Sequence, residues 1–215
     1  MERVINLERR QVHEQIYDYL KNAILNGELK PGEKLNQDEL AKQFGTSRMP
    51  VRDALRLLQN DWLVENLPNK GFTVVEFSEE QLKDTLLFRS ILEKEAVCLV
   101  KGRLTSEDIE KLETLAKEME QCIERNNLSD MPKLNYEFHF TIYNLVPSKK
   151  MLETIKLLWD SFPRYAMLST NEAALLSQNK HEMIINAIKN GDFEAAGELM
   201  RKHILRTNTS INKCE

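Results

Sequence analysis

Cysteine, proline and glycine are all scarce in this chain. The three cysteines, Cys98, Cys122 and Cys214, are odd in number and far apart. They fit neither a disulfide framework nor a Cys-x-x-Cys metal site, and reduced thiols are expected. Only 6 prolines and 7 glycines punctuate 215 residues, which points to a helix-rich, core-forming protein. No apolar run approaches the ~18 residues of a membrane span. The N-terminal MERVINLERRQ lacks the apolar core of a signal peptide, so a cytoplasmic protein with no membrane association is expected. Positive charge is not in excess either. The net charge is −4, and residues 1–77 hold 11 Lys and Arg against 12 Asp and Glu, so neither the whole nor the first third advertises a nucleic-acid binder.

What the chain does have is a local pattern from Asn36 to Asp61, NQDELAKQFGTSRMPVRDALRLLQND. It reads as two short helices joined by a tight turn. Asn36 can cap the first, with Glu39 in capping-box position. Leu40 and Phe44 supply an inward face, and Gly45 ends the helix. Ser47 can cap the second helix, where Pro50 falls in the first turn and its missing N–H costs nothing. Val51, Leu55 and Leu58 lie at i, i+4, i+7 as a buried stripe, while Arg48, Arg52 and Arg56 repeat every four residues on another face. This is the layout of a helix-turn-helix whose second helix enters the DNA major groove. Arginine suits that position because its planar fork bonds guanine O6 and N7 together, or clamps phosphates. An ordinary helical hairpin with a solvated charged face fits the same spacing. Lys42, Arg48, Arg52 and Arg56 face only Asp53 within residues 42–56, so the basic patch is small, and a dimer that doubled it would bind better.

Upstream, Gln11 to Asn26 reads as an amphipathic helix with a stripe of Val12, Ile16, Leu20 and Ile24. Downstream the period changes. Leu63–Glu65 and Phe72–Phe77 read as two short strands around the turn Pro68-Asn69-Lys70-Gly71. A hairpin directly after a recognition helix is a wing, and its tip at Lys70 and Gly71 can approach DNA.

The run P-G-x-x-L-N-x-x-x-L-A-x-x-F-G-x-S-R-x-P-V-R-x-A-L-x-x-L, from Pro31 to Leu58, resembles the winged-helix domain of the GntR family of bacterial transcription regulators. The resemblance covers roughly residues 10–77. It implies operator contacts from Ser47, Arg48, Met49 and Arg52, with Lys70 and Gly71 of the wing assisting. Met49 stands where Thr is common, so an altered contact is expected there.

The second domain, residues 78–215, reads as about six helices with no strand: Ser78 to Lys101, Thr105 to Asn126, Met131–Val146, Ser148–Met167, Ala173–Asn190 and Asp192–Asn212. His139, His181 and His203 each fall on the apolar face of a different helix. One such histidine is usually a satisfied core residue. Three on facing helices of one bundle are also a standard way to build a metal site. Asn135, four residues before His139, would point into the same cavity.

This domain resembles the all-helical FCD effector domain of the FadR-like branch of the same family, in its shorter VanR-type form. The matching segments are N-Y-E-F-H at 135–139, H-E-M-I-I-N-A-I at 181–188 and G-D-F-E-A-A-G-E-L-M-R-K-H at 191–203. The resemblance implies a divalent metal, Zn or Ni, held by Asn135, His139, His181 and His203. It further implies a small organic acid effector that Arg89 could clamp, and a homodimer on double-stranded operator DNA. Asn135 stands where the family usually has Asp, so a weaker metal site is expected. The fold class implied is mainly α, an N-terminal winged helix-turn-helix plus a C-terminal antiparallel all-helical bundle. The function implied is a ligand-responsive repressor, not an enzyme. One alternative makes the ion itself the signal. A metal-dependent hydrolase is disfavoured, because Ile185 stands where H-E-x-x-H would need its second histidine.

Overall fold

The computed structural model describes residues 11–68, 70–76, 78–161 and 171–211. Asn69 at the wing tip, Phe77, the last part of the helix expected over Ser148–Met167, and Cys214 lie outside the described residues. The chain divides into two compact units, Met1–Phe77 and Ser78–Glu215.

In the first unit, α1 (Val12–Leu25) buries Ile16, Leu20, Ala23, Ile24 and Leu25. Val12 is half exposed rather than part of the stripe, because it opens the helix and the core begins a turn later, at Ile16. Helix α2 (Gln37–Gln43) follows, capped by Asn36, whose Oδ1 accepts from the Asp38 N–H at 2.9 Å. Glu39 bonds the Asn36 side-chain amide rather than its backbone, and Asn36 caps Asp38 rather than Glu39, so the cap forms but the expected capping box does not. Gly45, at φ 60°, makes the turn in a conformation that an L side chain resists.

Helix α3 (Arg48–Asn60) starts at Ser47, whose hydroxyl makes no capping bond. Pro50 occupies the third helical position, so one of the two N–H groups from which a capping oxygen ordinarily accepts does not exist. Val51, Ala54, Leu55 and Leu58 are wholly buried in one core with α1, β1 and β2. Strands β1 (Val64–Leu67) and β2 (Gly71–Val74) pair antiparallel, Val64 opposite Val74 and Leu67 opposite Gly71. The loop at 32–35 adds a third edge, with Leu35 N–H donating to Phe72 O and Val74 N–H to Glu33 O, both at 2.9 Å.

The second unit is helical throughout its described residues: α4 (Glu79–Leu99), α5 (Ser106–Glu124), α6 (Met131–Tyr143), α7 (Lys149–Asp160), α8 (Asn171–Lys189) and α9 (Phe193–Ile211). Capping boxes open two of them, Ser78 with Gln81 on α4 and Thr105 with Asp108 on α5. Helix α4 lies along α9 and also meets α6 and α7, while α5 packs on α6 and α8, and α8 on α9. Helices α4 and α9 approach closely at Gly197, where a Cβ would lie 2.8 Å from Cys98 Sγ and 3.0 Å from the Lys94 carbonyl oxygen. Beside it, Lys94 Nζ reaches Glu198 at 2.6 Å and Glu194 at 3.0 Å. The buried face of α4 is unusual. Arg89 and Glu93, both wholly buried, sit in the middle of its apolar stripe. No helix among the described residues is long and apolar enough to cross a membrane.

Candidate DNA-binding face and buried histidine cluster

In the first unit, burial of Val51, Ala54, Leu55 and Leu58 leaves the opposite side of α3 outward. Ser47, Arg48, Met49, Arg52 and Arg56 are all exposed there. Arg48 Nε is ion-paired with Asp38 of α2, which steadies the arginine across the turn. The hydroxyl of Ser47, which makes no capping bond, remains available on the same face. Lys70 is exposed in the turn between β1 and β2. At Gly71, φ is 78° and an added Cβ would meet nothing within 4 Å, so its backbone can be approached closely. The sequence-predicted contacts thus fall on two exposed elements, the start of α3 and the wing.

In the second unit, α6, α8 and α9 bring His139, His181 and His203 together, each offering a ligand atom within 4.8 Å of the others. His139 and His203 are stacked at 5.1 Å between ring centroids, and His181 lies 4.7 Å from His203. All three are buried. Burial, followed by the charges of Arg89 and Lys180, holds His203 at about 3; burial, followed by the crowding of the other imidazoles, holds His139 and His181 well below the usual imidazole range. The rings are therefore neutral at pH 7, the state in which imidazole ligates a metal. Asn135 is also buried, one turn before His139 on α6.

Three residues that the sequence reading missed complete this site: Glu93, Tyr143 and Trp159. Tyr143 donates its hydroxyl to Glu93 Oε2 at 2.5 Å. Its oxygen also lies 2.9 Å from His139 Nδ1. Since the tyrosine proton is committed to the carboxylate, His139 Nδ1–H must be the donor in that second bond. That assigns the proton to Nδ1 and leaves Nε2 with a lone pair. Burial and the Glu93 charge push the Tyr143 hydroxyl well above its ordinary range, so it stays a donor. Glu93 Oε1 accepts from Arg89 Nε at 2.6 Å, and the Arg89 guanidinium lies 4.0 Å above the Trp159 ring. Arg89, expected to clamp an effector, is thus already paired with Glu93, four residues on along the same helix. Tyr143, at i+4 from His139, was the available clue.

His139 Nε2 and both ring nitrogens of His181 are buried without a hydrogen-bond partner. Unsatisfied buried nitrogens are costly in a core histidine. A divalent ion would take one nitrogen from each ring, satisfying His139 Nε2 and one of the two on His181, so the donor set fits a metal, and the cluster could hold one.

Comparison with known proteins agrees with both halves. Residues 12–74 match the bacterial regulatory proteins, gntR family, and residues 84–206 match the FCD domain. The chain is 30% identical over 194 residues to the HTH-type transcriptional regulator YdhC of Bacillus subtilis, covering 89% of this chain and 85% of that one. It is 30% identical over 198 residues to the HTH-type transcriptional regulator McbR of Escherichia coli, covering 88% and 90%. The solved structure of E. coli McbR/YncC superposes with a TM-score of 0.82 at 25% identity, covering 95% of this chain and 99% of that one. Exposed arginines at the head of a recognition helix, a wing, and a helical domain carrying a buried histidine cluster are thus parts of one kind of molecule: the chain belongs to the GntR family, with an FCD domain, and is a DNA-binding transcription regulator rather than an enzyme.

Proposed function

We propose that this regulator is a homodimeric repressor that leaves its operator when a small carboxylate binds beside a divalent metal in the helical domain. The observation that carries the reading is the cluster of neutral, buried imidazoles at 139, 181 and 203, with ring nitrogens of His139 and His181 unpartnered. His139, His181 and His203 would hold Zn²⁺, Ni²⁺ or a similar ion, with the Asn135 amide oxygen as a weak fourth donor. The ion, when bound, supplies a Lewis-acidic seat for a carboxylate. Glu93 and Tyr143 orient His139, and Arg89 lends the cavity positive charge that Glu93 matches in part. In the DNA-binding domain, residues 1–77, Ser47, Arg48, Met49 and Arg52 meet the major groove and Lys70 and Gly71 the backbone beside it.

Two features support the dimer. A winged helix that is not net positive binds weakly alone, and a two-fold operator needs a two-fold protein. On α4, in the effector-binding and dimerisation domain 78–215, Leu87, Phe88 and Ile91 form one exposed apolar face.

Calorimetry tests the effector reading. Asn135 is neutral, so a carboxylate would supply the anion that the ligand set lacks. Metal and organic acid should each bind more tightly in the presence of the other. Asn135→Asp should tighten metal binding without effector and shrink that coupling. A parent protein that holds no metal, with or without candidate acids, would reduce the cluster to cavity lining. Metal binding that no organic acid influences would favour the second reading, in which the ion itself is the signal.

A further inference from the structure

Met49 is the most exposed large apolar side chain among the described residues, with 68% of its surface open. It stands in the first turn of α3, directly after Arg48 and three residues before Arg52, both exposed. Its neighbours Val51, Ala54 and Leu55 are wholly buried, so α3 has a complete inner face without it. It is absent from the core of its unit. The first turn of a recognition helix is the part that reaches base edges.

Chemistry then narrows what Met49 can read. A thioether donates no hydrogen bond and accepts only weakly. Laid against the polar edge of guanine, adenine or cytosine, it would strip water from groups it cannot satisfy, at a cost. In the major groove only thymine presents an apolar group, its C5-methyl. An unbranched side chain with three rotatable bonds can settle on that methyl from a range of approach angles. We propose that Met49 is a specificity-determining residue that packs on the methyl group of one thymine in each operator half-site. The proposal rests on α3 entering the major groove, and the test below separates the two.

The full-length protein first selects duplexes from a random-sequence library, and the best of these is the probe. Each thymine of one half-site is then replaced singly by deoxyuridine, which removes only the methyl. One position should lose affinity about fourfold, the worth of one buried methyl group. Met49→Ala should bind the unmodified probe correspondingly less tightly and be indifferent to deoxyuridine at that position. Met49→Leu should keep the sensitivity. With the residue so exposed, both variants retain the fold. A parent that binds its selected duplex but shows no deoxyuridine-sensitive position would overturn the assignment. So would a sensitivity that persists in Met49→Ala, or Met49→Ala binding as tightly as the parent. A parent that selects no duplex at all would instead overturn the major-groove reading on which the assignment depends.

Discussion

Tyr143 donates its hydroxyl to Glu93 at 2.5 Å across fifty residues of sequence, and that one bond decides where His139 carries its proton. Removing the hydroxyl leaves all three imidazoles in place but takes away what orients one of them. Tyr143→Phe should therefore lower the affinity for Zn²⁺ by about 10–100-fold, the usual worth of a residue that orients a ligand. Competition against a chromophoric chelator measures this. An unchanged affinity would mean that the Glu93–Tyr143–His139 chain has no part in holding metal.

The same histidines make the metal-free protein sensitive to acid. Their folded-state values lie below the ordinary 6.5, with His203 at about 3. The unfolded chain takes up protons that the folded chain refuses. Stability is thus fully present above about pH 6.5 and is lost as pH falls toward the folded values, by roughly 1.4 kcal/mol per pH unit for each buried histidine. Urea unfolding in chelator at pH 7.5, 6 and 5 should show the midpoint falling, and His181→Gln should flatten the fall. A midpoint constant over that range would contradict burial of neutral rings.

Arg52 lies one turn beyond Arg48 on the outward face of α3. Arg52→Ala should weaken binding to a selected operator by on the order of 1–3 kcal/mol and relax the preference at one base pair. The oligomeric state should not change. Equal occupancy of parent and variant in footprinting would remove Arg52 from the reading face.

Phe88, 59% exposed between Leu87 and Ile91, is the test of the dimer. Phe88→Asp would place a charge at the centre of the proposed contact. We expect it to sediment as a monomer at micromolar concentration, where the parent sediments as a dimer, and to bind operator more weakly while keeping its metal affinity. A variant that remained dimeric would move the interface elsewhere.

Much of this was legible in the sequence because it rests on local rules. The spacing of Val51, Leu55 and Leu58 against Arg48, Arg52 and Arg56 located α3, and Gly45 marked its turn. The three histidines were recognisable because each broke an apolar stripe. Where the reading failed, a second element or a missing atom decided the outcome. Pro50 deprived Ser47 of a capping partner, a subtraction that the capping preference of serine does not anticipate. Val12 has the right phase but lies beyond the core. Glu93 was not singled out in the sequence and Arg89 only as a clamp for an effector; it is the packing of α6, α7 and α9 around α4 that turns both inward and gives the carboxylate to Tyr143.

The contact at Gly197 bears on what the helical domain will admit. With no side chain between them, α9 and α4 touch through Cys98 Sγ and the Lys94 carbonyl, and the Lys94 ion pairs bind the helices again beside that point. Glu93 is the residue before Lys94, and His203 lies less than two turns along α9 from Gly197. The two helices that carry Glu93 and His203 are therefore held at a fixed gauge close to where the proposed effector would sit. On the proposed function, a site of fixed gauge would sort guests by girth: a short acid would enter as it is, and a bulkier one would be refused before its charge was ever recognised.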